Sequence, residues 1–114
     1  MEIPVGAERR SEPRYQVSHE FVVSHPQLGE VACLSDDLSL NGVFLVGDFS
    51  GVTVGSTVEI SFVRKSRRQD VNKGTRYRFT AVIMRITEIG AGLKFSGLNT
   101  EIDAALYDLM HRAG

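Results

Sequence analysis

The chain has one cysteine, Cys33, and no tryptophan among its 114 residues. A lone cysteine closes no intramolecular disulfide and completes no cysteine-based zinc site, so the fold must rest on its core. Neither sign of charge dominates. Thirteen Lys and Arg stand against fourteen Asp and Glu, a net −1, which excludes a global field drawing the molecule onto nucleic acid or an anionic membrane. Apolar runs such as Ala81-Val82-Ile83-Met84 are a few residues long, far short of the roughly 18 to 20 that cross a bilayer, so no membrane insertion is expected. Met1 to Glu8 has neither the cationic start nor the apolar stretch of a secretory signal, and a cytoplasmic location is expected. What remains, 42% hydrophobic and 24% charged, is the composition of one soluble folded domain.

Residues 1–13 hold two prolines, few apolar side chains and the cluster Glu8-Arg9-Arg10-Ser11-Glu12. Such a stretch buries too little surface to offset its ordering entropy, and it reads as a flexible arm ahead of a single domain at 14–114. From Tyr15 the apolar period is two, with Tyr15, Val17, His19, Phe21 and Val23 on one face of a strand. His25 to Gly29 is turn chemistry, and Glu30 to Leu34 resumes the extended pattern until the polar run Ser35-Asp36-Asp37. Further strands are predicted at Val43–Val46, Thr57–Val63, Thr75–Ile86 and Ala91–Phe95, with a long loop over 64–74. Six short strands in succession indicate an all-β barrel or sandwich. The period then becomes helical over about 100–112, where Ile102, Ala105, Leu106, Leu109 and Met110 share a face, and Thr100 with Asp103 forms a plausible capping box.

Little here points to catalysis. His19, His25 and His111 lack metal-ligand spacing, Ser39 has no neighbouring histidine or nucleophile-elbow context, and no phosphate-binding glycine loop follows a strand. Cys33 alternates with Val31 and reads as a small core residue. Three features carry other chemistry. Arg10 and Arg14 stand four apart, with Arg9 just ahead, and guanidinium groups grip phosphates, pair with guanine edges or stack on bases. Asp37-Leu38-Ser39-Leu40-Asn41-Gly42 offers a carboxylate, a hydroxyl and a glycine, although these are also the residues that any tight turn recruits. The stretch 64–78 has seven basic residues and one acid, a charge of +6 that leaves −7 elsewhere. A basic hairpin of that kind either contacts an acidic partner, nucleic acid or a membrane surface, or simply blocks edge-to-edge association.

Taken together, the RxxxR pair Arg10/Arg14 and the DxSxxG run Asp37–Gly42, in this order and one hairpin apart, resemble the PilZ domain family. The resemblance continues in Val82-Ile83-Met84-Arg85 and Gly90-Ala91-Gly92-Leu93-Lys94-Phe95 and covers nearly the whole chain. It implies a six-stranded antiparallel β-barrel with a C-terminal helix and a non-catalytic receptor for the bacterial second messenger cyclic di-GMP. The implied ligand site is Arg9, Arg10, Arg14, Asp37, Ser39, Asn41 and Gly42, with no cofactor and no metal. An arginine at Arg9 is associated in the family with capture of a stacked nucleotide dimer. Binding is expected to draw the arm over the barrel and to signal in trans to an unidentified effector protein, in control of motility, biofilm or virulence. A monomer or weak homodimer is expected, with no nucleic acid bound. The alternative is a nucleotide-independent module for protein or nucleic acid that uses the 64–78 hairpin.

Overall fold

A computed structural model describes residues 14–65 and 74–111, apart from the Lys65 side chain. The expected arm at 1–13, with Arg9 and Arg10, lies outside the described residues, as do Arg67 and Arg68. Six strands, β1 (Glu20–His25), β2 (Gly29–Leu38), β3 (Gly42–Val46), β4 (Thr57–Lys65), β5 (Gly74–Ile86) and β6 (Gly90–Ser96), precede one helix, α1 (Thr100–His111). All neighbouring strands are antiparallel, and the order β1-β2-β3-β6-β5-β4 closes into a barrel through β1–β4 pairing. The six-strand barrel with a C-terminal helix agrees with the sequence expectation.

Alternation decides which side chains fill the barrel. Phe21 and Val23 of β1, Val43 and Leu45 of β3, Val58, Ile60 and Phe62 of β4, Phe79, Ala81 and Ile83 of β5, and Ala91, Leu93 and Phe95 of β6 all point inward and are buried. Phe49 and Val52 belong to no periodic segment, yet both are buried in the same core from the β3–β4 connection. Cys33 is buried as expected, and that burial pushes its thiol pKa up. The helix covers the core with all five residues of its predicted apolar face, and Arg64 of β4 donates to Asp108 at 3.0 Å on its outer side.

Three local expectations are corrected. The first strand begins at Glu20 rather than Tyr15, because Tyr15 makes only an isolated bridge with Leu38. Ser35 N donates to His19 O while Leu38 and Tyr15 exchange both backbone bonds, so four residue steps on one side face three on the other. A regular ladder cannot span that mismatch. Second, β2 does not stop at the polar run. Ser35 is buried with its hydroxyl donating to Val17 O and accepting from His19 N, and the bulge between Ser35 and Asp37 lets the strand continue to Leu38. Third, Asn99 rather than Thr100 caps α1, because Asn99 Oδ1 accepts from Ile102 N at 2.8 Å.

The cap gives a direct test. Asn99→Ala is expected to lower unfolding free energy by about 1 kcal/mol, measured by urea titration, with Thr100→Ala within about 0.5 kcal/mol of the parent. The reverse ranking would restore the capping box at Thr100.

Candidate functional site

The site is assembled where the incoming chain meets the end of β2. Tyr15 N and Leu38 N each donate to the other residue's carbonyl at 2.8 Å. This bridge makes Arg14 and Asp37 diagonal neighbours on one face, and Arg14 donates to Asp37 Oδ1 at 2.9 Å. Their side chains are 47% and 33% exposed, so the pair is a weak latch worth under about 1 kcal/mol. The ring of Tyr15 packs edge-on against His111 at 4.9 Å, which ties the arginine-bearing segment to the end of α1.

Beyond Leu38 the chain turns into β3. Ser39 is fully buried, and its hydroxyl oxygen accepts from Asn41 N and Gly42 N, both at 3.2 Å, while Ser39 N donates to Gly42 O at 2.9 Å. Ser39 therefore builds the turn, and Asn41 is its exposed polar member, next to exposed Leu40. Gly42 pairs with Lys94, and a Cβ on it would run into the Leu93 carbonyl oxygen of β6. Its missing side chain serves close strand approach first, whatever it also does for a ligand.

These residues edge a cleft of about 420 Å³ on the outer wall of β3, β6 and β5. Arg14, Arg85 and Lys94 contribute three cations to its lining, Ser39, Asn41 and Gly42 form the turn side, and Phe44 and Met84 supply apolar surface. Phe44 faces outward between inward-facing Val43 and Leu45, and its ring is buried without joining the core. Arg85 lies over that ring, 5.4 Å from guanidinium carbon to centroid, within cation–π range. It gets there by crossing β6 at Gly92, where a Cβ would stand 3.1 Å from Arg85 Nε. A second bulge, between Ile83 and Arg85, turns both Met84 and Arg85 outward.

The structure thus brings together Arg14, Asp37, Ser39, Asn41 and Gly42, whereas Arg9 and Arg10 lie outside the described residues. It adds Phe44, Met84, Arg85 and Lys94, which sequence reasoning did not assign to the site. Met84, Arg85 and Lys94 lie in the later runs that carried the family resemblance, whereas Phe44 had no such signal, and Gly92 is its partner in the register. Chemically, three cations, a part-exposed carboxylate paired with one of them and an aromatic ring capped by a guanidinium suit a ligand with anionic oxygens, N–H donors and flat faces. No group of His, Cys, Asp and Glu among the described residues could hold a metal, and no helix among them is long and apolar enough to cross a membrane.

The structure is thus a closed six-stranded antiparallel barrel with a C-terminal helix, in which an arginine and an aspartate pair beside a cationic cleft. The PilZ domain family profile matches residues 8–112, and the chain belongs to that family. Among solved structures it is similar to the Bacillus subtilis inhibitor of motility MotI/DgrA, with TM-score 0.71 and 18% identity over 91% of this chain. It is also similar to the PilZ domain of CeSA from a cellulose-synthesizing bacterium, with TM-score 0.65 and 16% identity over 86% of this chain and 94% of that one. A third similar structure is Borreliella burgdorferi PlzA in complex with c-di-GMP, with TM-score 0.62 and 14% identity over 94% of this chain. The chain spans 51% of the MotI/DgrA chain and 43% of the PlzA chain. No curated protein sequence matches it.

Ser39→Ala leaves the buried Gly42 N–H and the part-buried Asn41 N–H without their acceptor and is expected to cost about 1–3 kcal/mol of stability. Gly42→Ala is expected to cost a similar amount, about 1–3 kcal/mol, by forcing β3 from β6. Urea unfolding of both variants measures this, and losses below about 0.5 kcal/mol would contradict the structural roles given to them.

Proposed function

We propose that this PilZ domain is a non-catalytic receptor for cyclic di-GMP, bound in the cleft on the wall of β3, β6 and β5. The observation that carries this reading is the Arg14–Asp37 latch at the edge of a cleft lined by three cations. Family membership and the likeness to PlzA, a protein solved with c-di-GMP, support it.

Cyclic di-GMP presents two phosphates and two guanines, so it needs cations for oxygens, acceptors for N–H groups and flat partners for the bases. Arg14 exchanges its exposed pairing with Asp37 for a phosphate or a guanine O6/N7 edge, at the small cost of a solvated ion pair. Asp37, released from Arg14, accepts guanine N–H donors. Lys94 adds a point charge for phosphate, and Arg85 on its Phe44 base offers a guanidinium plane for stacking. Ser39 acts through the turn it holds, and Asn41 at the tip contributes hydrogen bonds. Arg9 and Arg10 of the arm complete the cationic set as the arm closes, and the altered surface signals in trans to an effector protein. The likeness to MotI/DgrA, an inhibitor of motility, supports motility as one process that such an effector would govern.

Calorimetric titration with cyclic di-GMP tests this. Saturable binding is expected, weakened at least tenfold by Arg14→Ala and by Asp37→Ala, each shown to be folded by circular dichroism. A stoichiometry of two nucleotides per chain supports the part given to Arg9. At a ligand concentration a hundredfold above Kd, stabilisation of about 2.7 kcal/mol should accompany binding. Absence of both heat and stabilisation rejects the receptor reading and turns attention to the 64–78 hairpin, whose binding would be salt-dependent and lost on neutralising Arg67 and Arg68.

Arg85→Ala separates the stacking role from simple charge. It is expected to weaken cyclic di-GMP at least fivefold, while Arg85→Lys, which keeps the charge but loses the plane, recovers less than half of the lost binding free energy. Full recovery by lysine would reduce Arg85 to a phosphate counter-ion.

A further inference from the structure

Outside the cleft, the barrel wall carries an apolar patch that neither the fold nor the proposed nucleotide site requires. Leu34 of β2 and Val46 of β3 are directly opposite each other in the register, and both face outward at 53% and 45% exposure. Scattered exposed apolar residues need no explanation, but a facing pair of this size does. Beyond Val46 on the other side is Gly90, which has no side chain to cover it and cannot take one, because a Cβ would run into the Leu45 carbonyl oxygen. Next in the chain, Ile89 is 64% exposed in the β5–β6 turn, and its carbonyl accepts from Gly47 N at 2.9 Å, which fixes it beside Val46. Leu34, Val46 and Ile89 therefore form one contiguous apolar surface across three elements.

Among the described residues, four acidic side chains stand beside it in register or sequence. Glu20 is the cross-strand partner of Leu34 on the β1 side. Asp36 follows Leu34 by two residues, Asp48 follows Val46 by two, and Glu88 precedes Ile89, all of them exposed. Ser50 N and Ser50 Oγ donate to Asp48 at 3.0 and 2.7 Å, and those bonds hold its carboxyl below the usual aspartate range. Arg85 of β5 lies over Phe44 on the cleft side.

We propose that the Leu34–Val46–Ile89 surface is a docking site for a cationic amphipathic segment of a partner protein, one that lays apolar side chains on the patch and Lys or Arg against the acidic rim. Charge complementarity selects that occupant. A lipid surface of anionic headgroups is repelled by the rim, and a second copy would set four carboxylates against four. The patch joins the cleft directly, since Val46 stands two residues from Phe44 on the same outward face of β3. The partner site is independent of the nucleotide reading and survives its failure.

The test uses the full chain and a defined probe, a synthetic helical peptide of leucine and lysine, with a leucine–glutamate peptide of the same pattern as control. Fluorescence anisotropy is expected to show saturable binding of the lysine peptide only. The triple variant Leu34→Ser, Val46→Thr, Ile89→Ser should weaken it at least tenfold. Glu20→Lys with Glu88→Lys should weaken it at least fivefold and admit the glutamate peptide. Amide-shift mapping by NMR on the parent protein should place the largest changes at Leu34, Val46 and Ile89. Three results would overturn the proposal: lysine-peptide binding unaltered by both variants, self-association in sedimentation that the triple variant abolishes, or vesicle binding that it abolishes.

Discussion

The seam between β3 and β6 is the constraint on which the rest depends. These strands are not neighbours in sequence, and their pairing carries the sheet from the β1-β2-β3 half to the β6-β5-β4 half so that β1 and β4 can close the barrel. The seam is tight at both ends. Side chains at Gly42 and Gly90 would collide with the carbonyls of Leu93 and Leu45, so glycine there is a condition of closure rather than a concession to flexibility. The same seam has few outward side chains, because Gly42, Gly90 and Gly92 all fall on its outer face. A bare strip of wall is what lets Arg85 cross β6 to reach Phe44 and what leaves both the cleft and the Val46 surface open.

Two bulges then aim the chemistry at that strip from either side. On β2 the bulge between Ser35 and Asp37 keeps Leu38 inward while turning Asp37 toward Arg14. On β5 the bulge between Ile83 and Arg85 does the equivalent for Arg85, with Ile86 returning to face Ala91. Without the extra residue, strict alternation would send one member of each pair into the core, where an unpaired charge costs several kcal/mol. Bulges are a common means of redirecting side chains next to binding sites, and here they sit on opposite flanks of one cleft.

This also accounts for what was legible in the sequence. Alternation and short apolar runs located the six strands, and the 3.6-residue period named all five buried helix residues, because burial imposes those periods directly. The ends were harder. Ser35-Asp36-Asp37 looks like the end of a strand, since nothing in the letters shows that Ser35 Oγ will find Val17 O and His19 N inside the barrel. Asn99 and Thr100 are both good caps by type, and only the path of the chain chooses between them. Phe49 and Val52 enter the core from an aperiodic connection, where hydropathy gives no direction. In the cleft, the turn residues were legible as a spacing, whereas Arg85 and Phe44 meet across three strands and a bulge. A one-residue shift in register is invisible in sequence and decides which face a side chain takes.

The latch between Arg14 and Asp37 bears on how the proposed receptor would respond to ligand. Both groups are partly exposed, so their pairing stabilises the empty state by less than about 1 kcal/mol. It nonetheless restricts where the guanidinium sits, and a placed arginine loses less side-chain entropy on meeting an anion than a free one. A buried, strong pair would hold the same geometry but oppose the exchange that binding requires, because removing one partner from it costs about 3–5 kcal/mol. Weak pairing in solvent is thus the arrangement that positions Arg14 while leaving it available. The backbone bridge at Tyr15 carries the positioning instead, and it is also where the end of α1 touches the arginine-bearing segment through His111. A ligand that draws Arg14 away from Asp37 therefore acts on a segment already fastened to both the barrel and the helix. Its displacement can reach the proposed docking surface only as far as the ligand favours one arrangement of that segment over another.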